Sequence, residues 1–154
     1  MEEVIRIGNC SGFYGDRLAA AKELIDGGPI DVLTGDYLAE LTMTILYNQM
    51  QSRGENMGYV GTFLKQIKDV AKDCQEKNIK IVSNAGGLNP KSMAAEVENI
   101  LSDLGLDLKV AYIDGDDIKE DIEEFQKDGE QFINIDRGIP LSESSNTIVT
   151  ANTY

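Results

Sequence analysis

One stretch of the chain decides the fold: Lys80-Ile81-Val82-Ser83-Asn84-Ala85-Gly86-Gly87-Leu88-Asn89-Pro90. Its apolar first part, with Ile79 before it, predicts a short buried strand. Asn89 followed by Pro90 is typical of a helix start, because asparagine accepts bonds from the first helical amides and proline fits the first turn. The stretch therefore predicts a strand that passes through a glycine-containing loop into a helix, as in parallel α/β proteins.

The same alternation of strand and helix recurs along the chain. Helices are predicted after Asp16, from about Tyr37 to Met50, from about Thr62 to Glu76, after Asn89, and as a short acidic segment through Ile118, Ile122 and Phe125. Further strands are predicted at Val4–Gly8, Ile30–Thr34, Leu108–Ile113 and Thr147–Asn152. Right-handed crossovers between such elements give a mostly parallel sheet with flanking helices, in a Rossmann-like three-layer α/β fold.

The length of 154 residues favours a single α/β domain, residues 1–154. The last predicted strand has no helix after it, although a parallel strand normally has both of its faces covered. We therefore expect a sheet that is incomplete at the C-terminus, and a chain that is the N-terminal part of a longer domain. A short protein that completes its sheet by self-association is the open alternative.

Composition and charge exclude several classes of partner. Acidic residues number 27 against 14 basic ones, the net charge is −13, and no cluster of Lys and Arg is present. This argues against nucleic acid and against an anionic membrane surface. No apolar run approaches the roughly 20 residues of a membrane span, and no signal peptide is visible, so we expect a cytoplasmic protein with a small-molecule substrate.

The absence of histidine restricts the chemistry further. It excludes Ser-His-Asp and Cys-His catalysis and histidine-containing metal sites within these residues. Two cysteines, Cys10 and Cys74, are too few for a disulfide framework, and without a histidine base Cys10 is better explained as a small buried residue than as a nucleophile. Carboxylates, amides and hydroxyls are left as reacting groups, unless catalytic groups come from elsewhere.

Polar residues concentrate in the loops that follow the predicted strands. Such loops meet at one edge of a parallel sheet, which is where ligands bind in these folds. The loops at the opposite edge of the predicted sheet contain only ordinary turn residues. The substrate-binding candidates on these loops are Asn9, Ser11, Gly12, Arg17, Asn84, Gly86, Gly87 and Asp114.

Two of these loops suggest a way to bind oxygen atoms. Gly86 and Gly87, directly before a helix, allow backbone amides to point at an anionic or carbonyl oxygen. The loop matches neither the phosphate-binding nor the dinucleotide-binding motif, so nucleotide binding has no motif support and the cofactor stays unknown. Arg17 is able to balance the charge of a carboxylate or phosphate, or is a plain surface residue.

Asp36 and Asp16 are the candidates for acid–base catalysis. Each also lies where a helix N-cap is expected, and N-capping alone explains an aspartate at either position. Asp114, Asp116 and Asp117 offer oxygen ligands for a divalent cation, but an acidic helix start is the simpler interpretation, and we predict no metal site.

Three long segments resemble the acyclic terpene utilisation family (AtuA-like), in its N-terminal domain. They are residues 9–17, 33–43 and 80–90, and Gly58-Tyr59-Val60-Gly61-Thr62-Phe63 fits as well. The resemblance implies a part of a longer protein, associated with bacterial breakdown of acyclic terpenes and with acyl-CoA pathways. It assigns no particular reaction.

Together these features favour a catabolic enzyme domain that binds a small carboxylate or acyl-CoA-type substrate at the strand-end edge. The alternative is a non-catalytic ligand-binding or scaffold domain acting with a partner subunit. A fragment without independent function is a third hypothesis. The sequence leaves open whether the chain forms a homo-oligomer or associates with a partner subunit.

Overall fold

A computed structural model describes residues 4–145 and 148–153 of the chain. The elements in order are β1 (Ile7–Asn9), α1 (Ala20–Gly27), β2 (Val32–Gly35), α2 (Glu40–Arg53), α3 (Gly61–Lys77), β3 (Lys80–Ser83), α4 (Pro90–Asp103) and α5 (Ile122–Lys127), with short 3-10 helices at Lys119–Asp121 and Leu141–Glu143. The chain divides into two compact units, Met1–Ile113 and Asp114–Tyr154. The expectation of a single domain that belongs to a longer protein stays a prediction.

The sheet of the first unit is three-stranded and parallel, in the order β1-β2-β3. In its register Gly8 lies opposite Leu33, and Leu33 lies opposite Ile81. This confirms the α/β class with a parallel sheet predicted from the sequence, and it is consistent with a Rossmann-like three-layer fold.

One face of this sheet is covered by α1 and α3, which pack against each other. Leu33 lies in this layer in a buried cluster with Ile25 of α1 and Val70 and Cys74 of α3. Gly8 belongs to the same face, since a Cβ built on it would lie 3.5 Å from Leu24 of α1. The side chains of the other face are more exposed. Ile7 is 66% exposed and Val82 is 60% exposed.

A second buried cluster joins α2, α3 and α4. Its members are Tyr37, Leu46, Val60, Phe63, Ile67, Ala71, Ala85, Val97 and Leu101. Tyr37 and Ala85 belong to the loops that follow β2 and β3, so this cluster lies directly beneath the strand-end loops. Burial of this cluster fixes the loop backbones, since each Val, Leu, Ile or Phe side chain contributes on the order of 1.5–3 kcal/mol when fully removed from water.

The predicted strand Leu108–Ile113 is wrong, because none of its residues pairs with a strand in the part of the chain that the structure describes. Leu108 and Val110 are nevertheless half-buried, and they pack against the second cluster. The alternating pattern therefore indicates which side chains pack against the core. The backbone of this segment has no partner strand among the described residues.

The predicted strand Thr147–Asn152 begins outside the described residues, and residues 148–153 form no strand. Asn152 instead makes a single antiparallel bridge with Asp117. Ile118 N donates to Ala151 O at 2.9 Å and Thr153 N donates to Asp116 O at 2.8 Å. These bonds tie the segment to the turn before the 3-10 helix rather than to a parallel neighbour.

Two helices begin later than predicted. The helix expected after Asp16 begins at Ala20, and the helix expected at about Tyr37 begins at Glu40. Leu41, an apolar residue in the first turn of α2, lies at the surface, where it is 72% exposed. The short acidic helix of the second unit is confirmed as α5, with Ile122 buried. Within the described residues no helix is both long and apolar enough to cross a membrane.

Candidate functional site

The C-terminal ends of β1, β2 and β3 are tied together by hydrogen bonds. Cys10 N donates to Thr34 O at 2.8 Å, and Asp36 N donates to Ser11 O at 3.0 Å. On the other side of β2, the hydroxyl of Ser83 donates to Gly35 O at 2.9 Å. The loops after the three strands therefore meet at one edge, as the parallel arrangement requires.

At this edge the side chains of Asp36 and Asn84 are in direct contact. Asn84 Nδ2 donates to Asp36 Oδ1 at 2.7 Å. Asn84 Oδ1 in turn accepts from Tyr37 N at 2.9 Å, so both ends of the amide are used and its orientation is fixed. Both residues are exposed, and no hydrogen bond to Asp36 Oδ2 is found in residues 4–145 and 148–153.

Asp36 does not cap α2, contrary to the simpler sequence interpretation. The residue before the helix is Ala39, which offers no side-chain cap. The carboxylate of Asp36 is held three residues upstream of that position by the amide of Asn84. Its orientation is thus determined by a loop from another strand, while one oxygen stays available at the surface.

Asp16 likewise closes a loop and does not cap α1, which begins at Ala20. Its Oδ2 accepts from Gly12 N at 2.9 Å, and its Oδ1 accepts from Arg17 N at 2.7 Å. These backbone bonds, first that from Gly12, hold the pKa of the Asp16 carboxyl below its ordinary value. Both oxygens of Asp16 are already occupied by its own loop.

Arg17 forms an exposed ion pair with Glu23 of α1. Its guanidinium approaches the carboxylate twice, with Nη1–Oε1 at 2.9 Å and Nη2–Oε2 at 2.6 Å. Binding of a substrate anion across the same two guanidinium nitrogens of Arg17 would replace this pair. Since exposed pairs contribute only about 0–1 kcal/mol, that exchange is energetically small.

Asn9 and Ser11 occupy opposite environments in the loop after β1. Ser11 is buried, and its hydroxyl donates to Phe13 O at 3.0 Å, so it shapes the loop. Asn9 is exposed and lies opposite Thr34 in the register. Its side chain makes no hydrogen bond to any part of the chain that the structure describes. The amide group of Asn9 therefore lies at this edge with neither its donor nor its acceptor bonded to a described residue.

The glycines after β3 are explained by close packing. A Cβ on Gly86 would lie 2.7 Å from Pro90 Cβ, and one on Gly87, whose φ is +54°, would lie 2.7 Å from Gly58 O. Gly87 N already donates to Asn84 O at 3.2 Å. Of the two glycine amides, only that of Gly86 lacks a hydrogen bond to the described residues.

Asn89 caps α4 as predicted, since its side chain accepts from Ser92 N at 3.0 Å. Its amide group also donates to Glu55 O at 3.0 Å and to Met57 O at 3.2 Å. The cap thus also fixes the loop between α2 and α3 beside the glycines.

A buried polar group beneath the edge was not predicted from the sequence. The hydroxyl of Tyr37 donates to Gln66 Oε1, and Cys10 Sγ lies 3.9 Å from the same hydroxyl. Burial raises the pKa of both Tyr37 and Cys10, so each is neutral near pH 7. Cys10 is 5% exposed, which agrees with the interpretation as a small buried residue. Gln66 occupies an inward position between Phe63 and Val70 on α3, and a polar residue inside such an apolar stripe was the available signal.

The remaining candidate, Asp114, is the first residue of the second unit and is exposed. Its membership of the site stays a prediction. In that unit a shallow hollow of about 370 Å³ is lined mainly by Ile122, Leu141, Ile148 and the stems of polar residues, with no predicted site residue among them. Among the described residues no group of three or more Cys, Asp or Glu side chains is placed to hold a metal ion.

Comparison with known proteins identifies one family. The sequence model described as "Acyclic terpene utilisation family protein AtuA" matches residues 5–154. Neither the curated proteins nor the solved structures include one that matches the chain. The match spans the strand-end loops as well as the sheet and its helices, so the chain belongs to the acyclic terpene utilisation family AtuA.

Proposed function

We propose that this chain is a catabolic enzyme domain that binds a small carboxylate or an acyl-CoA-type substrate at the C-terminal edge of its sheet. Family membership supports a role in acyclic terpene utilisation. The contact of 2.7 Å between Asn84 Nδ2 and Asp36 Oδ1 carries the assignment of the site. It holds an exposed carboxylate in one orientation between two strand ends.

Asp36 is the acid–base residue in this proposal. A general base must be held within hydrogen-bond reach of the proton that it removes, and a neighbouring group commonly orients it. Asn84 supplies that orientation by donating to Asp36 Oδ1, while Asp36 Oδ2 has no hydrogen bond to the described residues and the residue is exposed. Asp16 is a weaker candidate, because both of its oxygens are engaged by backbone amides.

Substrate oxygens would be bound by polar groups of the same loops. Asn9 would contribute an exposed side-chain amide, and Gly86, a buried residue, would contribute the backbone N–H that has no hydrogen bond to the described residues. Ser11, Gly12 and Gly87 hold the loops in shape. Arg17 would join by exchanging Glu23 for the substrate. The amides of Asn9 and Gly86 are neutral donors, which suit a carboxylate or thioester oxygen in a chain whose net charge is −13.

The test begins with a ligand screen on the full chain. Acyclic terpenoid acids, their CoA thioesters, free CoA and nucleotides are added separately, and thermal unfolding is followed. A ligand that binds only the folded state raises the unfolding temperature. We expect a rise with terpenoid acids or their thioesters. Absence of any rise with both would contradict the proposed substrate class.

The second step compares Asp36→Asn with Asp69→Asn, which removes an exposed carboxylate from α3 as a matched control. Loss of a general base lowers turnover by about 10²–10⁴-fold, so Asp36→Asn should remain folded and bind ligand but lose conversion by that factor. The control should convert at the parental rate. If the parent binds ligand without converting it, and Asp36→Asn binds equally well, the domain is a non-catalytic ligand-binding module instead.

A further inference from the structure

Tyr37 is the residue that connects the buried core with the edge of the sheet. Its backbone N–H donates to Asn84 Oδ1 at 2.9 Å, and its side chain points into the protein, where it is 2% exposed. Asn84 is thus held by an amide whose position depends on where the Tyr37 ring lies.

The ring is confined on several sides. It packs edge-to-face on Phe63 of α3, with centroids 5.9 Å apart and planes at 74°. A Cβ on Gly35 would lie 2.6 Å from Tyr37 Cε2, so the ring lies directly against the backbone of β2. These apolar contacts confine the ring, and none of them is a directional bond.

The hydroxyl supplies the directional contact that the packing lacks. It donates to Gln66 Oε1, and Gln66 is 3% exposed on α3. A buried amide and a buried phenol each lose their hydrogen bonds to water, and leaving either unpaired destabilises the folded chain. The chain therefore places a buried polar pair at the second cluster, of which Tyr37 is a member.

We propose that Gln66 and Tyr37 are positioning residues, which set the orientation of Asn84 and through it the Asp36 carboxylate. The link runs from Gln66 Oε1 to the Tyr37 hydroxyl, through the Tyr37 ring to its backbone N–H, and from there to the two ends of the Asn84 amide. This inference rests on the proposed function for the role of Asp36, but the geometry it predicts is measurable without a substrate.

The test uses NMR of the full chain. The side-chain amide resonances of Asn84 and the exchange rate of the Tyr37 amide proton report the two bonds of Asn84. In Tyr37→Phe and in Gln66→Met we expect the Asn84 resonances to move toward those of a solvated amide and the Tyr37 amide to exchange about tenfold faster. Phe63→Leu, which removes ring packing but keeps the hydroxyl bond, should lower the unfolding temperature without this change.

The double variant Tyr37→Phe/Gln66→Met separates positioning from stability, and it keeps the test available if a single variant fails to fold. It leaves no orphaned polar group, so much of the lost stability should return. The Asn84 signature should nevertheless stay altered, because no directional contact has been restored. Recovery of the signature together with stability, or an unchanged signature in either folded single variant, would overturn the inference. The outcome is independent of the turnover assay on Asp36→Asn.

Discussion

The carboxylate of Asp16 turns back on its own loop, with Oδ2 2.9 Å from the amide nitrogen of Gly12. Asp16 Oδ1 accepts from Arg17 N at 2.7 Å, so this side chain holds the loop after β1 at two points, Gly12 and Arg17. The loop backbone next to Asn9 and Ser11 is therefore held by an ionised group, and its order depends on pH.

Acid should weaken this loop selectively. The folded-state pKa of Asp16 lies below its ordinary value of 3.8, so its contribution to stability is complete above that value and is lost as the pH falls through the folded-state pKa. We expect Asp16→Asn to lower the unfolding temperature at pH 7, and the deficit to shrink toward about pH 3. Thermal melts from pH 7 to pH 3 measure this.

Asp69→Asn is the matched control, because removal of any carboxylate relieves repulsion in a chain with a net charge of −13. The quantity to compare is the difference between the two variants at each pH. A difference that is constant over the whole range would show that the loop bonds do not require ionised Asp16.

Gly87 should tolerate no side chain. Its φ is +54°, and a Cβ would lie 2.7 Å from Gly58 O as well as against Leu46. Gly105 has a similar φ of +67° with nothing within 4 Å, so Gly105→Ala measures the cost of the backbone conformation alone. We expect that cost to be about 1–2 kcal/mol, and Gly87→Ala to cost about 1–3 kcal/mol more by overpacking.

Urea unfolding of the two glycine variants gives the comparison through their midpoints. Equal losses at both positions would mean that the loop before α4 shifts away from Gly58 without cost. Such a result would also remove the packing explanation for the second glycine of the loop.

Both cysteines should resist alkylation while the chain is folded. Burial raises the pKa of Cys74 to about 11 from 9.0, and it raises the pKa of Cys10 as well. Since the thiolate is the reacting form, the change at Cys74 alone lowers its reactive fraction at pH 8 about a hundredfold. Mass spectrometry after iodoacetamide treatment, with and without urea, measures the modification at each cysteine.

A reactive Cys10 in the folded chain would contradict its burial at 5% exposure. It would indicate that the loop after β1 opens on the time scale of the reaction. Cys74 lies inside α3, so its modification provides the internal reference for global unfolding.

Apolar periodicity was sufficient to predict the strands of the sheet and the longer helices. Ile67 and Val97, which lie in apolar patterns with helical spacing, are both buried. Parallel pairing follows from the alternation of strands with helices, because a crossover helix returns the chain in the same direction. For the same reason the meeting of the strand-end loops was predictable.

The helix starts were not predictable, because one residue type serves two purposes. An aspartate before an apolar pattern accepts amide bonds equally well from a helix or from a loop. Asp16 binds loop amides and Asp36 binds the side chain of Asn84, so both helices begin later, at Ala20 and Glu40. Only the distant residue Asn84 distinguishes these outcomes for Asp36.

The polar pair beneath the site was hidden for a related reason. Tyr37 lies in what the sequence predicts as a first helical turn, and Gln66 lies on another helix, so their contact depends on how α3 crosses the sheet. The pattern of Leu108–Ile113 was misleading in the opposite way, since buried side chains such as Leu108 do not require a paired backbone.

The sequential order β1-β2-β3 has a consequence for synthesis of the protein on the ribosome. Each strand after β1 pairs with the strand that was translated just before it, so the three described strands can pair in the order of their synthesis. Once Ser83 has left the exit tunnel, the strands that carry Asn9, Asp36 and Asn84 at their ends are all available. Pairing of the three strands can therefore begin before α4 has emerged, while the packing that fixes the strand-end loops is completed by α4.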